Sequence, residues 1–118
     1  MANLRQGGLQ RLTVQEAQNA TLGQAGCVFV DTATAAAAPA GKAFVAITML
    51  SDVTFANSGG LVAEDSDRWA NTETAASAGG SGGIEIDTSN SFPKGMTIYG
   101  RWTSIELNST GTVLAYIG

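Results

Sequence analysis

Hydrophobic positions in this chain come in short runs set apart by Gly, Asn, Ser and Asp, and almost none repeat with the 3.6-residue period of a helix. Residues 27–31 (CVFVD) read as a first short strand, apolar on both faces. Residues 31–41 follow as an alanine-rich link, in which Pro39 and Gly41 stop any helix that residues 35–38 would start. Residues 42–50 (KAFVAITML) form a continuous apolar run. Its period alone also fits a buried helical segment, and Phe, Val, Ile and Thr decide for a strand. After Ser51 and Asp52, Val53 and Phe55 alternate with polar neighbours as in a half-buried strand, and NSGG at 57–60 turns the chain.

Residues 61–78 are polar and acidic, with one Trp, and predict a long surface loop rather than a core element. The glycine-rich stretch AGGSGG at 78–83 cannot fill a core and predicts a flexible connection or a close approach of another backbone. Residues 83–87 resume as a short alternating strand. The C-terminal stretch GMTIYGRWTSIELNSTGTVLAYIG, residues 95–118, predicts two strands joined by a hairpin loop at Asn108, Ser109, Thr110 and Gly111, so that the chain ends inside its fold. Within the first of these strands Met96, Ile98 and Trp102 fall on one face, and Tyr99, Ile105 and Leu107 on the other. Either a bulge near Gly100 swaps the faces or the second face is covered by another subunit.

About six or seven short strands with almost no helix predict an all-β fold, a small antiparallel β-sandwich or barrel. It is expected as one domain over residues 27–118, preceded by an extended N-terminal arm over residues 1–26. In that arm Leu4, Leu9, Leu12, Val14 and Leu22 are spaced too irregularly for one amphipathic face. A short helix over 14–20 is an option, because Thr13 and Glu16 have the spacing of a capping box, while Gly7 and Gly8 argue against an earlier one.

Composition narrows the picture. At 118 residues there is no room for a second, catalytic domain. Much of the 44% hydrophobic content is Ala and there are 15 Gly, so the expected core is thin. Burying a large apolar side chain contributes about 1.5–3 kcal/mol, against roughly 1.5 kcal/mol lost per ordered residue. Oligomerisation is the expected remedy. A net charge of -4 and a pI near 4.5 give no basic field, and the 6 Lys and Arg are scattered, which argues against nucleic acid as a partner. No apolar run approaches the roughly 20 residues of a membrane span. MANLRQGGLQ lacks the apolar core of a secretory signal, so synthesis in a cytoplasm is expected. The single cysteine, Cys27, rules out an internal disulfide and, within CVFV, reads as a buried small hydrophobe.

Candidate chemistry is sparse. With no His there is no Ser-His or Cys-His pair, no His-ligated zinc and no usual general base near neutral pH, so an enzyme is not expected and no catalytic residue is assigned. Glu64, Asp65 and Asp67 beside Arg68 form the densest acidic group, and Asp-x-Asp on a loop could offer oxygen ligands to Ca²⁺. The longer alternation and terminal Glu of an EF-hand are missing, so the loop reads as solvated and no metal or cofactor is assigned. Glu85, Asp87 and Glu106 have nothing to fix the separation that glycoside hydrolysis demands. AGGSGG lacks the Lys and Ser or Thr that follow a phosphate-binding loop. Asn19-Ala20-Thr21 and Asn108-Ser109-Thr110 match the glycosylation acceptor pattern, and without a signal peptide both read as turn residues. Trp69, Trp102, Tyr99 and Tyr116 either build a stacking surface or fill the core and a subunit interface, and the second reading is the simpler.

FVAITMLSDVTF at 44–55, FPKGMTIYGRWTSIEL at 92–107 and the closing GTVLAYIG at 111–118, in that order around a variable acidic and Gly-rich loop, resemble small virion structural proteins of tailed bacteriophages. The resemblance covers about three fifths of the chain. It implies a β-rich subunit, commonly trimeric, that binds the outside of an assembled head as a capsid decoration (cement) protein, with the major capsid protein as its partner. That places the chain on the virion's outer capsid surface, with neither nucleic acid nor membrane bound. On this reading Leu4, Leu9 and Leu12 of the arm dock into apolar capsid pockets while Arg5 and Arg11 pair with acidic capsid groups. Tyr99, Arg101, Trp102, Ile105 and Tyr116 are assigned to the subunit interface. The alternative is a tail, neck or fibre component that recognises a host-surface ligand through Asp65, Asp67 and Trp69.

Overall fold

The computed structural model describes residues 25–118. The arm residues Leu4, Arg5, Leu9, Arg11 and Leu12 and the optional helix over 14–20 lie outside the described residues. Ala25 and Gly26, the last two residues assigned to the arm, already belong to the domain: Ala25 packs against the core and the Gly26 carbonyl accepts a hydrogen bond from the Ile117 N–H at 2.9 Å.

Six strands form, β1 (Cys27–Val30), β2 (Ala36–Ala37), β3 (Phe44–Met49), β4 (Leu61–Ala63), β5 (Thr97–Ile105) and β6 (Val113–Ile117). They make one sheet in the order β1-β6-β3-β5-β2, with β4 also paired to β5. Every described strand pair is antiparallel. The sheet curls into a nearly closed barrel, and no helix occurs among the described residues, so the all-β, antiparallel expectation holds. Trp102 stands opposite both Phe44 and Ala63, and Ile105 opposite both Ala36 and Leu61. Strand β4 therefore covers one edge of β5, while β2 and β3 run in line along the other. Between them residues 38–43 loop out, closed by the Lys42 N–H on the Pro39 carbonyl at 2.9 Å.

The core follows from cross-strand rows. One row inside the barrel is Val28, Ala115, Ile47 and Ile98, and another is Ile117, Phe44 and Trp102. Side chains in a row share a face because directly paired residues point the same way. Val30, Val113 and Met49 make a third row, Val53, Phe55, Leu61, Ile105 and Leu107 are buried with them, and Phe92 meets Phe55 edge-on at 5.3 Å between ring centroids. The face swap expected in β5 arises from bulges: the registers shift between Phe44 and Ala46 and between Val62 and Ala63, which lets Trp102 and Ile105, three apart, both point inward.

Five expectations change. The C-terminal hairpin does not form, because β3 inserts between β5 and β6 and pairs with both. Both strands are antiparallel to β3, so they run parallel to each other, and residues 106–112 are a crossover rather than a tight turn. That crossover lies along residues 51–55: Leu107 bridges Phe55, the Asn108 N–H reaches the Thr54 carbonyl at 2.9 Å, and the Thr112 N–H reaches the Ser51 hydroxyl at 2.9 Å. The physical cause is β3 itself, an uncharged strand that turns Phe44, Ile47 and Met49 into the core and satisfies its backbone N–H and C=O groups most fully with a strand along each edge. Residues 53–57 bury Val53 and Phe55 as their alternation predicts, yet they join the sheet only through isolated bridges to Phe92 and Leu107. Residues 83–87 form no strand, and Ile84 is 79% exposed. Residues 61–78 are not all surface loop, since Leu61 is fully buried and β4 is part of the sheet. Cys27 is exposed, because in the pleat of β1 it shares the outward face with Phe29.

Candidate functional site

The segment that links β4 to β5 is ordered by one buried amide. Asn71 is fully buried; its Nδ2 donates to the Ser66 and Trp69 carbonyls, both at 2.8 Å, and its Oδ1 accepts from the Glu73 and Thr74 N–H groups at 2.7 and 2.8 Å. Its own carbonyl accepts from the Ile86 N–H at 2.8 Å, which draws the far end of the segment back to the barrel. Beside it Thr72 caps the outer edge of β4, where the Leu61 N–H donates to the Thr72 hydroxyl at 3.0 Å and the Thr72 N–H donates to the Leu61 carbonyl at 3.1 Å. Sequence reasoning missed both residues; the only local signal is Asn followed by Thr-Glu-Thr, a pattern that suits a side chain folded onto the backbone two and three residues on.

The acidic cluster is consumed by the same architecture. Asp65 accepts the Asp67 N–H at 3.0 Å and lies 3.9 Å from Arg68, an exposed pair whose energetic weight is small. Asp67 accepts both the hydroxyl and the N–H of Ser77, at 2.8 and 3.2 Å. Glu64 takes Arg101 in a two-pronged pair, Nε to Oε1 at 2.8 Å and Nη2 to Oε2 at 3.2 Å. The hydrogen bond from Arg101, reinforced by its charge, holds the Glu64 carboxyl below its ordinary value. No group of three or more His, Cys, Asp or Glu among the described residues is arranged to hold a metal ion.

The two tryptophans part company. Trp102 is buried, and its indole N–H donates to the Ala70 carbonyl at 2.9 Å. Trp69 is half-buried, with the Arg68 guanidinium 5.9 Å from its ring centroid. Both rings press on Gly100: a Cβ there would meet the Trp102 ring at 2.8 Å and the Trp69 ring at 3.2 Å. Glycine at this point lets both indoles approach the strand closely.

Of the residues assigned to a subunit interface, Trp102 and Ile105 lie inside the chain's own core and present no side-chain surface to a partner. Arg101 is engaged with Glu64 at the barrel's flank. Tyr99 and Tyr116 do come together. Ala46 is paired with both, so Cys27, Tyr116, Ala46 and Tyr99 make one row across four strands on the outside of the sheet. The next row is Phe29, Leu114, Thr48 and Thr97, whose two threonine hydroxyls hydrogen-bond at 2.9 Å. Phe29 is 60% and Tyr99 70% exposed. None of these eight residues is Asp, Glu, Lys or Arg. Asp65, Asp67 and Trp69 belong to the β4–β5 segment, and the Trp69 ring lies against Gly100, the neighbour of Tyr99.

A second surface feature is an open cleft of ≈ 270 Å³ lined by Asn57, Thr72, Glu85, Ile86 and Asp87. Its groups serve the fold: Asn57 accepts the Thr88 N–H at 3.0 Å, and Ser89, through its hydroxyl and then its N–H, lowers the Asp87 carboxyl below its ordinary value. No family model, curated protein or solved structure matches the chain.

Proposed function

We propose that this chain is a structural virion protein, most simply a capsid decoration protein that binds the outer surface of an assembled head and stabilises it, with the major capsid protein as partner. The observation that carries the reading is the division of labour in the domain. Asp65, Asp67 and Asn71 are spent on the domain's own loops, and the outside of the sheet exposes Phe29 and Tyr99 in uncharged rows, which suits protein contact rather than turnover. The resemblance of residues 44–55, 92–107 and 111–118 to small phage virion proteins supplies the location. Residues 1–24 of the arm, which bring Leu4, Leu9, Leu12, Arg5 and Arg11, provide the capsid contact in this proposal.

Immunogold labelling of intact particles with an antibody against the chain tests the location. Label spread evenly over heads is expected; label on tails or fibres alone, or none, sinks the decoration reading. If heads label, a chain starting at Gly26 is expected to bind them at least ten-fold more weakly than the full chain, and equal binding removes the arm from the contact. The second reading, a tail or fibre module that recognises a host-surface ligand, is favoured by one observation, the Arg68-capped and half-exposed Trp69. It predicts glycan binding that Trp69→Ala abolishes.

A further inference from the structure

The glycine-rich connection carries an inference that goes beyond the virion reading and does not depend on it. We infer that the peptide bond between Gly83 and Ile84 is a processing site for an endopeptidase that takes a large apolar residue on the carboxyl side of the cut, and that the cut chain keeps its barrel. Hydrolysis adds water across that bond and leaves a carboxylate on Gly83 and an ammonium group on Ile84.

Access selects the segment. Residues 77–85 are all exposed, and a Cβ at Gly79, Gly80 or Gly82 would meet nothing within 4 Å. The chain is tied down on either side. The Ser77 and Ala78 N–H groups donate to the Asp67 carbonyl at 3.0 and 2.8 Å, and the Ile86 N–H donates to the Asn71 carbonyl at 2.8 Å. Between these ties the only hydrogen bond among the described residues runs from the Gly80 N–H to the Ser77 carbonyl, at 3.1 Å. Such a segment opens locally at little cost and enters a protease cleft without unfolding the sheet. Ile84 selects the bond. Among the other exposed large hydrophobics, Phe29 and Tyr99 sit inside strands, and the Leu50 and Met96 N–H groups are held by the Thr112 and Pro93 carbonyls. Ile84 is 79% exposed, lies in no strand and has no hydrogen-bond partner among the described residues. The core does not use its side chain, and a protease subsite can.

Strand pairing holds the cut chain together. Strands β1 to β4 precede the bond, β5 and β6 follow it, and every pairing of the described sheet joins a strand before the cut to one after it. Neither piece has a strand pair of its own among the described residues. After the cut each piece therefore keeps its ladders only by staying with the other. What is lost is the covalent link, which holds the two pieces at a high effective concentration. The cut form is a two-component complex, and its stability depends on concentration.

Limited digestion of the full chain with thermolysin, which cleaves before large apolar residues, tests this. Mass spectrometry is expected to find a fragment running from Ile84 to Gly118 as the first product within residues 25–118. In native size-exclusion chromatography that fragment is expected to co-elute with its complement, with circular dichroism unchanged. The thermal midpoint of the cut form is expected to lie below that of the intact chain and to rise with concentration from about 1 µM to about 100 µM, while the intact midpoint stays still. Ile84→Asp is expected to slow the cut on the order of ten-fold or more, because a charge enters an apolar subsite, and to keep the wild-type circular dichroism, because the side chain is exposed. A first cut elsewhere within residues 25–118, a domain that resists digestion while its heat-unfolded form is destroyed, or an Ile84→Asp variant cut at the wild-type rate overturns the processing site. Pieces that separate or unfold once the bond is broken, or a cut form whose midpoint ignores concentration, overturn the two-component barrel.

Discussion

Side chains that look like chemistry in the sequence are structural in the fold, and an unremarkable amide does most to order the β4–β5 segment. Asn71 makes four side-chain hydrogen bonds from a fully buried position. Replacing it with Ala leaves two carbonyls and two N–H groups to find other partners, at about 1–3 kcal/mol for each group left unsatisfied. Some of them relax toward water, so Asn71→Ala is expected to cost about 2–4 kcal/mol in urea unfolding. Asp65→Asn, in the exposed acidic cluster that the sequence puts forward, is expected to change stability by less than about 0.5 kcal/mol. An inverted order would mean that the segment is held by its carboxylates rather than by the amide. Burial separates the two cases, and burial of a polar residue leaves little trace in local sequence.

At the scale of elements, the residues that make each strand were readable and the partners were not. The run at 42–50 and the strand halves of 95–118 were identified from β-branched and aromatic content, and Phe44–Met49, Thr97–Ile105 and Val113–Ile117 are strands. A loop rich in Asn, Ser and Gly between two strands favours a hairpin on local grounds, yet pairing is decided by which distant strand meets each edge. Nuclear Overhauser contacts between backbone protons are expected across β3 to both β5 and β6, with none directly between β5 and β6. A cross-strand contact between residues 105 and 113 would restore the hairpin and refute the central place of β3. Amide exchange adds a graded check: the N–H groups of Ala46 and Ile47 should be among the slowest, since β3 is flanked on both sides. The failed strand at 83–87 has the same cause in reverse. Its alternation is correct, but the Ile86 N–H is taken by the Asn71 carbonyl, and residues 83–87 pair with none of the described strands.

For the whole molecule, the absence of His makes the pH response simple. Glu64 and Asp87 both have carboxyls lowered in the folded state, Glu64 by Arg101 and Asp87 by Ser89. A lowered carboxyl stabilises the fold above its unfolded value and loses that contribution as the pH falls through the folded one. The thermal midpoint is therefore expected to be flat between about pH 6 and pH 8 and to fall only below about pH 4.5. The effect should be modest, because both groups are solvent-exposed and screened. Glu64→Gln should flatten part of the acid limb, and a midpoint that moves between pH 6 and 8 would show a titrating group elsewhere in control. By itself the sequence determined the class of fold, the positions of the long strands, the acidic charge and the lack of a histidine-based site, because each depends on residue type and short-range period. Tertiary structure alone decided the insertion of β3, the burial of Asn71 and Trp102, the exposure of Cys27 and the placing of Phe29, Leu114, Tyr116 and Tyr99 in adjacent outer rows of the sheet. Those features depend on which distant segments meet, and pairing β3 along both edges while its inward side chains are buried outweighs the local preference of a turn.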